Sequence, residues 1–182
     1  MRALTVVPGS AGSAALLDVP EPAQADGSVL VRTHAIGVCG TDREILRGQY
    51  GEAPAGEARL ILGHESIGTV LAAPAGSGLE AGDWVAAIVR RPDPVPCSNC
   101  AAGEWDMCRN GRYTERGIKA RHGFASDRYR VEPEFAVKVA PELAALGVLV
   151  EPASVVAKAW EHIECICARA RFQPERVLVT GA

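Results

Sequence analysis

The sequence has 182 residues, enough for one domain or for a domain and part of a second. Nearly half of the residues are hydrophobic, and the 19 glycines and 12 prolines favour short strands and turns over a helical bundle. The formal net charge of −3 shows no excess of basic residues, which excludes nucleic acid as an expected partner.

The N-terminal stretch MRALTVVPGS has an apolar run too short for a secretory signal. No continuous apolar run approaches the roughly 18 residues of a membrane helix. We therefore expect a cytoplasmic protein without a membrane partner. In such a reducing compartment, clustered cysteines bind metal more often than they form disulfides.

Residues 1–150 predict a domain built mainly of short strands. Apolar or alternating runs, separated by Gly, Pro and Ser, occupy 2–7, 14–19, 29–38, 67–72, 84–89, 129–131 and 135–139. One face of the run 29–38 would carry Val29, Val31, Thr33 and Ala35. A short helix is expected to start at Thr41. Several strands at this spacing are typical of a barrel or a sandwich.

The pattern changes after Pro152. Ser154 can cap a helix, and Pro174 would end it. The apolar stripe of this helix would consist of Val156, Trp160, Ile163 and Cys167. The closing letters VLVTGA predict a short strand that reaches Gly181, as at the opening of a dinucleotide-binding unit, so Gly181 is a candidate cofactor-binding residue.

Three residues of metal-binding type lie beside glycine or proline at predicted element ends, namely Cys39, His64 and Glu151. A catalytic zinc ion takes three protein ligands and keeps one position open, and thiolate, imidazole and carboxylate are all competent. Each residue alone also has an ordinary interpretation. A buried cysteine can be a small core residue, a histidine can be a hydrogen-bonding partner, and a glutamate before proline can be a solvated turn.

The motifs around these residues resemble the zinc-dependent medium-chain alcohol and sugar dehydrogenases. The motifs follow one another in that family's order over essentially the whole chain: VCGTD, LGHESIGTV, GDWVA, a cysteine-rich lobe, EPAS and VLVTGA. The resemblance implies a mostly β, GroES-like catalytic domain at 1–152. It also implies the linking helix and first strand of a truncated Rossmann nucleotide-binding domain at 153–182.

The same resemblance implies roles for individual residues. Cys39, His64 and Glu151 would hold the catalytic zinc, with Glu65 beside the metal. Thr41 would bind the reacting hydroxyl and pass its proton outward, a role that suits a group that both donates and accepts. Thr41 could cap a helix at the same time.

The lobe offers a second ligand set, made of Cys97, Cys100 and Cys108. The family holds a structural zinc with four cysteines, and the first of these would fall at Pro94, which cannot bind. Asp93 is the adjacent oxygen donor, and we expect it to complete the site. The alternatives are a lobe that has lost its metal and a disulfide between two of the cysteines.

Three segments resemble the glucose 1-dehydrogenase branch of the family, namely RPDPVPCSNCAAGEWDMC, YTERGI and HGF. In that branch an acidic residue that maps to Glu115 contacts sugar hydroxyls. Glu115 would bind substrate together with Thr41 and Glu151, although it could also be a surface charge. The resemblance implies a homo-oligomer, dimer or tetramer, that oxidises the C1 hydroxyl of an aldose such as glucose to a lactone, with hydride transfer to NAD or NADP. A polyol or secondary-alcohol dehydrogenase and a catalytically inert zinc-binding domain are the alternatives.

Overall fold

The computed structural model describes residues 1–180, and Gly181, the predicted cofactor-binding residue, lies outside the described residues. The chain divides into two compact units, Met1–Glu151 and Pro152–Ala182. The boundary expected from the sequence followed Pro152. The two units are described separately.

The first unit is built from strands arranged in three sheets. The strands are β1 (Arg2–Val6), β2 (Ala15–Asp18), β3 (Val29–Gly37), β4 (Leu60–Ile61), β5 (Glu65–Ala72), β6 (Trp84–Ala87), β7 (Arg90–Arg91), β8 (Thr114–Arg116), β9 (Ala120–Arg121), β10 (Arg128–Val131) and β11 (Ala136–Val139). The strand orders are β2-β1-β4, β10-β3-β5-β6-β11 and β7-β8-β9. Only the β8–β9 pair among these is parallel. The predicted mostly β fold is confirmed.

Two short helices interrupt the strands, α1 (Gly40–Leu46) and α2 (Ser98–Ala101). The short helix predicted to start at Thr41 is therefore confirmed. It begins one residue earlier, at Gly40, so Thr41 does not cap it. Cys39 is the N-cap residue, and its backbone N–H donates to the Asp42 carboxylate. Thr41 lies inside the first turn, partly buried.

The main hydrophobic core lies against the five-stranded sheet. Val29, Val31, Val70, Val85 and Phe124 are its fully or almost fully buried centre. Ala35, expected on the same face as Val29, is instead exposed. The β3–β5 register shifts between Thr33 and Ala35, and such a bulge turns the next residues over. Ile36 packs against the core in place of Ala35.

Helix α3 (Val150–Ala170) follows a run of 3₁₀ turns at Pro141–Leu149. Ser154 lies within α3 and does not cap it, because the preceding turns lead directly into the helix. On length and composition, residues 141–170 qualify as a possible membrane span, contrary to the expectation from sequence. This test rests on length and composition alone, and the run also carries the charged residues Glu151, Lys158 and Glu161.

In the second unit, the predicted stripe of α3 is largely exposed, including Val156 and Trp160. The predicted strand near the end is absent from the described residues, which carry no strand from 172 to 180. Val177, Leu178 and Val179 are exposed. A strand exists only through hydrogen bonds to a neighbour, and an apolar strand of this kind is normally covered on both faces.

Candidate metal centres

The first cluster brings together Cys39, His64 and Glu65. One ligand atom from each lies within 4.8 Å of the other two. His64 Nε2 is 3.1 Å from Cys39 Sγ and 4.0 Å from Glu65 Oε1. His64 and Glu65 are both buried, and Cys39 is partly buried. Nε2 is therefore the imidazole atom that faces the sulfur of Cys39 and the carboxyl group of Glu65.

Asp42 supports this cluster from behind the histidine. Its Oδ1 lies 3.5 Å from His64 Nδ1, and its Oδ2 accepts the backbone N–H of Cys39 at 3.0 Å. Asp42 is buried, 3% exposed. One carboxylate thus fixes both the ring of His64 and the backbone of Cys39, which is how outer partners orient metal ligands.

These contacts set the protonation of the histidine. Burial alone lowers the pKa of His64, but the Asp42 carboxylate and then Cys39 outweigh burial and raise that pKa to about 9. Burial also raises the pKa of Asp42, yet the adjacent imidazole of His64 and the hydrogen bond from the Cys39 backbone N–H hold it below its ordinary value. At neutral pH a cation is therefore favoured between these groups, and a metal ion at Nε2 would replace a proton.

Glycines allow the close packing that this arrangement needs. A side chain at Gly37 would collide with the Glu65 carboxylate. Gly63, directly before His64, has a φ of +87°, a conformation that favours glycine. The backbone at Gly63 also packs closely against Gly117 and Gly123. The glycines of the LGHE, ERGI and HGF motifs therefore meet in one place.

Glu151 lies in the first turn of α3. The sequence predicted it just before the helix. It is outside the trio whose ligand atoms lie within 4.8 Å, but its charge interacts with the cluster. Burial raises the pKa of Glu151, the charge of His64 opposes this, and the carboxylates of Glu65, Asp42 and Glu115 add to it. The charges of Glu151 and His64 therefore interact.

Glu115 belongs to β8 and is held by Arg90. Arg90 Nη2 donates to Glu115 Oε1 at 2.7 Å, and Arg90 Nε donates to the same oxygen at 3.1 Å. Arg90 also donates to the Trp105 carbonyl and lies over the Tyr113 ring. The Glu115 side chain is only 13% exposed, so it is not a freely solvated surface charge.

The donors of the first cluster fit a zinc ion. Tetrahedral zinc separates a thiolate sulfur from an imidazole nitrogen by about 3.6 Å, given bonds of about 2.3 and 2.05 Å. The Cys39–His64 separation of 3.1 Å is close to this and needs only a small side-chain rotation. Thiolate, imidazole and carboxylate in one buried site are zinc ligands by chemistry.

The second cluster consists of Cys97, Cys100 and Cys108, whose sulfurs lie within 4.8 Å of one another. Cys97 Sγ is 3.7 Å from Cys100 Sγ, and two thiolates on one tetrahedral zinc lie about 3.8 Å apart. All six cysteines of the sequence are free, so the alternative of a disulfide between two of the lobe cysteines is contradicted. The Arg109 N–H, 3.4 Å from Cys97 Sγ, is the main cause that lowers the pKa of Cys97 to about 6.

Asp93 lies beside this second cluster. It is 4% exposed, and its Oδ2 is 3.9 Å from Cys108 Sγ. Its Oδ1 accepts the backbone N–H of Val95 at 2.8 Å. The turn at Pro94 therefore directs the carboxylate toward the cysteines, although Asp93 stands outside the trio of sulfurs that share the 4.8 Å limit.

Sequence reasoning missed two supporting residues, Asp42 and Arg90. Asp42 lies three residues after the N-cap, at the position from which a carboxylate can cap a helix, and that pattern could have been noticed. Nothing local marked Arg90, because its partner Glu115 is 25 positions away in the sequence.

The mostly β fold and the two clusters of candidate metal ligands agree with a GroES-like catalytic domain. The sequence pattern of the family described as alcohol dehydrogenase GroES-like domain matches residues 25–141. The chain belongs to this family.

Among curated relatives, glucose 1-dehydrogenases from Methanocella arvoryzae and Thermoproteus tenax are each 43% identical over the whole of this chain. The alignment covers 51% of each relative, so the chain spans about half of their length.

A solved structure described as Haloferax mediterranei glucose dehydrogenase in complex with NADP, Zn and gluconolactone has a TM-score of 0.82 and 36% identity. The match covers 96% of this chain and 48% of that one. An alcohol dehydrogenase from Aeropyrum pernix, 26% identical with a TM-score of 0.64, covers 81% of this chain and 44% of its own.

Proposed function

We propose that the protein containing this chain is a zinc-dependent dehydrogenase that oxidises C1 of an aldose such as glucose to a lactone, with NAD or NADP as hydride acceptor. The observation that carries the proposal is the buried meeting of Cys39, His64 and Glu65, backed by Asp42. The glucose 1-dehydrogenase names of the relatives support the sugar substrate. The cytoplasmic location and the homo-oligomer remain predictions from sequence.

When bound, zinc would act as a Lewis acid toward the substrate hydroxyl, and the nicotinamide would accept the hydride. Cys39, His64 and Glu151 would hold the metal, and the nearby Glu65 is available as a further ligand. Asp42 keeps the His64 ring oriented through Nδ1, so that Nε2 faces the donors.

Two further residues would act on the substrate. Thr41, two positions after Cys39, would accept the proton of the reacting hydroxyl and pass it toward solvent. Glu115 would accept hydrogen bonds from other sugar hydroxyls, since a carboxylate can serve two neighbouring donors. Because Arg90 uses only Oε1 of Glu115, the proposal assigns Oε2 to the sugar.

A second zinc, structural in role, would bind Cys97, Cys100 and Cys108 with Asp93 as the fourth ligand. The near-ideal separation of the Cys97 and Cys100 sulfurs supports this site. The buried Asp93 supplies the oxygen donor in place of the cysteine replaced by Pro94.

The test is an assay of the whole protein with glucose, a polyol and a simple secondary alcohol, each with NAD and NADP. We expect glucose to be oxidised with the highest kcat/KM. Glu115→Gln should raise KM roughly tenfold for glucose, because a charge-assisted hydrogen bond is lost, and should leave KM for the simple alcohol unchanged. Glu80→Gln, at an exposed position, is the matched control.

Other outcomes would correct the proposal. A higher kcat/KM for the polyol would make the protein a polyol dehydrogenase with the same metal site. Zinc binding without oxidation of any substrate would favour the inert zinc-binding domain. An equal effect of Glu115→Gln on glucose and on the alcohol would place Glu115 outside the sugar site.

A further inference from the structure

A cavity of about 470 Å³ lies in the first unit, lined by residues other than those of the two metal clusters. Its walls come from β1 and β2, the segment 19–26, residues 57–61, Arg116 on β8 and residues 122–130. None of the proposed metal ligands lines it. Its volume falls within the roughly 300–1,000 Å³ range of small-molecule sites.

Charged side chains line this cavity in an uneven way. Four arginines, which are buried or half-buried, face three carboxylates, all of which are exposed. The arginines are Arg59, Arg116, Arg128 and Arg130, and the acids are Glu21, Asp26 and Glu57. The positive charge is therefore deeper than the negative charge.

Most of the arginine charge lacks an anionic partner at hydrogen-bond distance. Within the described residues, Arg59 donates to the hydroxyl and carbonyl of Thr5 and to a carbonyl of Ser13. Arg130 likewise donates to backbone carbonyls. The nearest ion-pair oxygen to Arg116 is that of Glu132, at 3.9 Å. Carbonyl oxygens satisfy N–H groups but do not neutralise a guanidinium.

Two of these arginines also have unsatisfied donors. The Nε atoms of Arg116 and Arg128 are buried and find no hydrogen-bond acceptor in the described part of the chain. Arg128 pairs with Glu21 through Nη2, so its Nε is a separate donor. A buried N–H without an acceptor is costly and uncommon in native proteins.

Apolar side chains form much of the remaining wall, beside the polar Thr5, His122, Ser126 and Tyr129. Leu17, Val19, Pro20, Pro22 and Ile61 line the cavity. A small inorganic ion would leave these walls without contact, whereas a neutral apolar molecule would leave the arginines without a counter-charge. The combination fits a ligand with an anionic head group and a short hydrocarbon body.

We propose that this cavity is a binding site for a small amphipathic organic anion, whose carboxylate or phosphate oxygens meet the arginines while its hydrocarbon part contacts Leu17 and Ile61. The site is separate from the metal clusters, so it does not depend on the proposed dehydrogenase function. The anionic head group is shared by carboxylic acids and phosphate esters.

The test uses hexanoate and hexyl phosphate as probes, with hexanol as the uncharged control. Calorimetric titration of the chain should give a Kd below about 1 mM for at least one anion and at least tenfold weaker binding of hexanol. The tighter of the two anions identifies the head group. Methyl NMR should show shifts of Leu17 and Ile61, with Val85 in the main core as the unperturbed control.

Variants then test the charge. Arg130→Gln should weaken binding of the anion about tenfold or more, and Arg130→Lys should recover part of the loss. Arg2→Gln, an exposed arginine outside the cavity, should leave the affinity unchanged. Thermal unfolding of each variant shows whether it is folded, and the NMR titration of the unaltered chain does not depend on any variant.

Equal affinity for hexanol and hexanoate would overturn the proposal, because the cavity would then be merely apolar. No binding of either anion at about 20 mM, far above the expected Kd, would overturn it as well. Methyl shifts confined to residues outside the cavity would do the same.

Discussion

The two metal clusters of the first unit are built on different principles. Cys39 follows β3, whereas His64 and Glu65 are consecutive residues at the start of β5, and buried Asp42 contacts both Cys39 and His64. Cys97, Cys100 and Cys108 come from one short stretch of chain around α2. The first cluster mixes three donor types, and the second has sulfur donors with one carboxylate beside them.

This difference indicates what each cluster can do. Long-range assembly with a mixed donor set and a supporting shell can leave a coordination position open for chemistry. A local set of thiolates closes around a metal and stabilises its own loop. Damage to one cluster should therefore leave the other intact, and the following predictions depend on that independence.

The largest effect is expected at Thr41. In the whole protein, Thr41→Ala should lower kcat by about 10²–10⁴-fold because the proton relay is lost, while the zinc content of both clusters stays unchanged. Steady-state kinetics and elemental analysis of the same sample measure the two quantities. Thr41→Ser, which keeps the hydroxyl, is the control and should retain most of the rate. An unchanged kcat for Thr41→Ala at saturating substrate would remove Thr41 from the mechanism.

A smaller effect is expected from Asp42→Asn. Asparagine keeps the size and can still accept the Cys39 N–H, but it removes the charge beside His64 Nδ1. Zinc affinity at the first cluster should fall about 10–100-fold, as for other outer partners of metal ligands. Competition with a chelator measures this affinity, and Asp18→Asn at an exposed position is the control. Equal loss of zinc from the cysteine lobe would refute the independence of the clusters.

The smallest effect is expected from Glu132, whose ion pairs connect the start of the cysteine lobe to the rest of the first unit. Glu132 accepts from Arg91, which enters the lobe, and from Arg121 on β9. Burial raises the pKa of Glu132, but Arg91 and then the other arginine outweigh it and lower that pKa to about 2. The stabilisation is present above the ordinary pKa of about 4.5 and is lost as the pH falls through about 2.

Glu132→Gln should therefore lower the free energy of unfolding by about 1–2 kcal/mol at pH 7, allowing for partial exposure of the carboxylate. The difference from the unaltered chain should shrink as the pH approaches 2. Denaturant unfolding at several pH values measures it, with Glu80→Gln as the control. A difference that does not change with pH would mean that the ion pairs contribute no pH-dependent stability.

Much of the fold could be predicted from sequence because short alternating runs bounded by Gly and Pro carry a strong strand signal. The failures have local physical causes. Ala35 was placed on the wrong face because a bulge depends on the pairing partner, which is β5. Ser154 was predicted to cap α3 because the 3₁₀ turns at Pro141–Leu149, which lead into the helix, have no clear periodic pattern in the sequence.

The candidate site was only partly predictable. Cys39, His64 and the lobe cysteines stand in recognisable motifs, and the structure brings each set together. Asp42 and Arg90 act through contacts with residues 22 to 25 positions away, as seen in the Asp42–His64 and Arg90–Glu115 pairs. Such partners follow from the folded topology and not from local spacing.

The most direct test of the account is the number of zinc ions per chain. Elemental analysis of protein purified without chelator should approach two zinc ions per chain, since there are two separate ligand sets. His64→Ala and Cys100→Ser should each reduce the value to about one, and the double variant should retain almost none. A value near one in the unaltered chain, unchanged by Cys100→Ser, would contradict the two-cluster account.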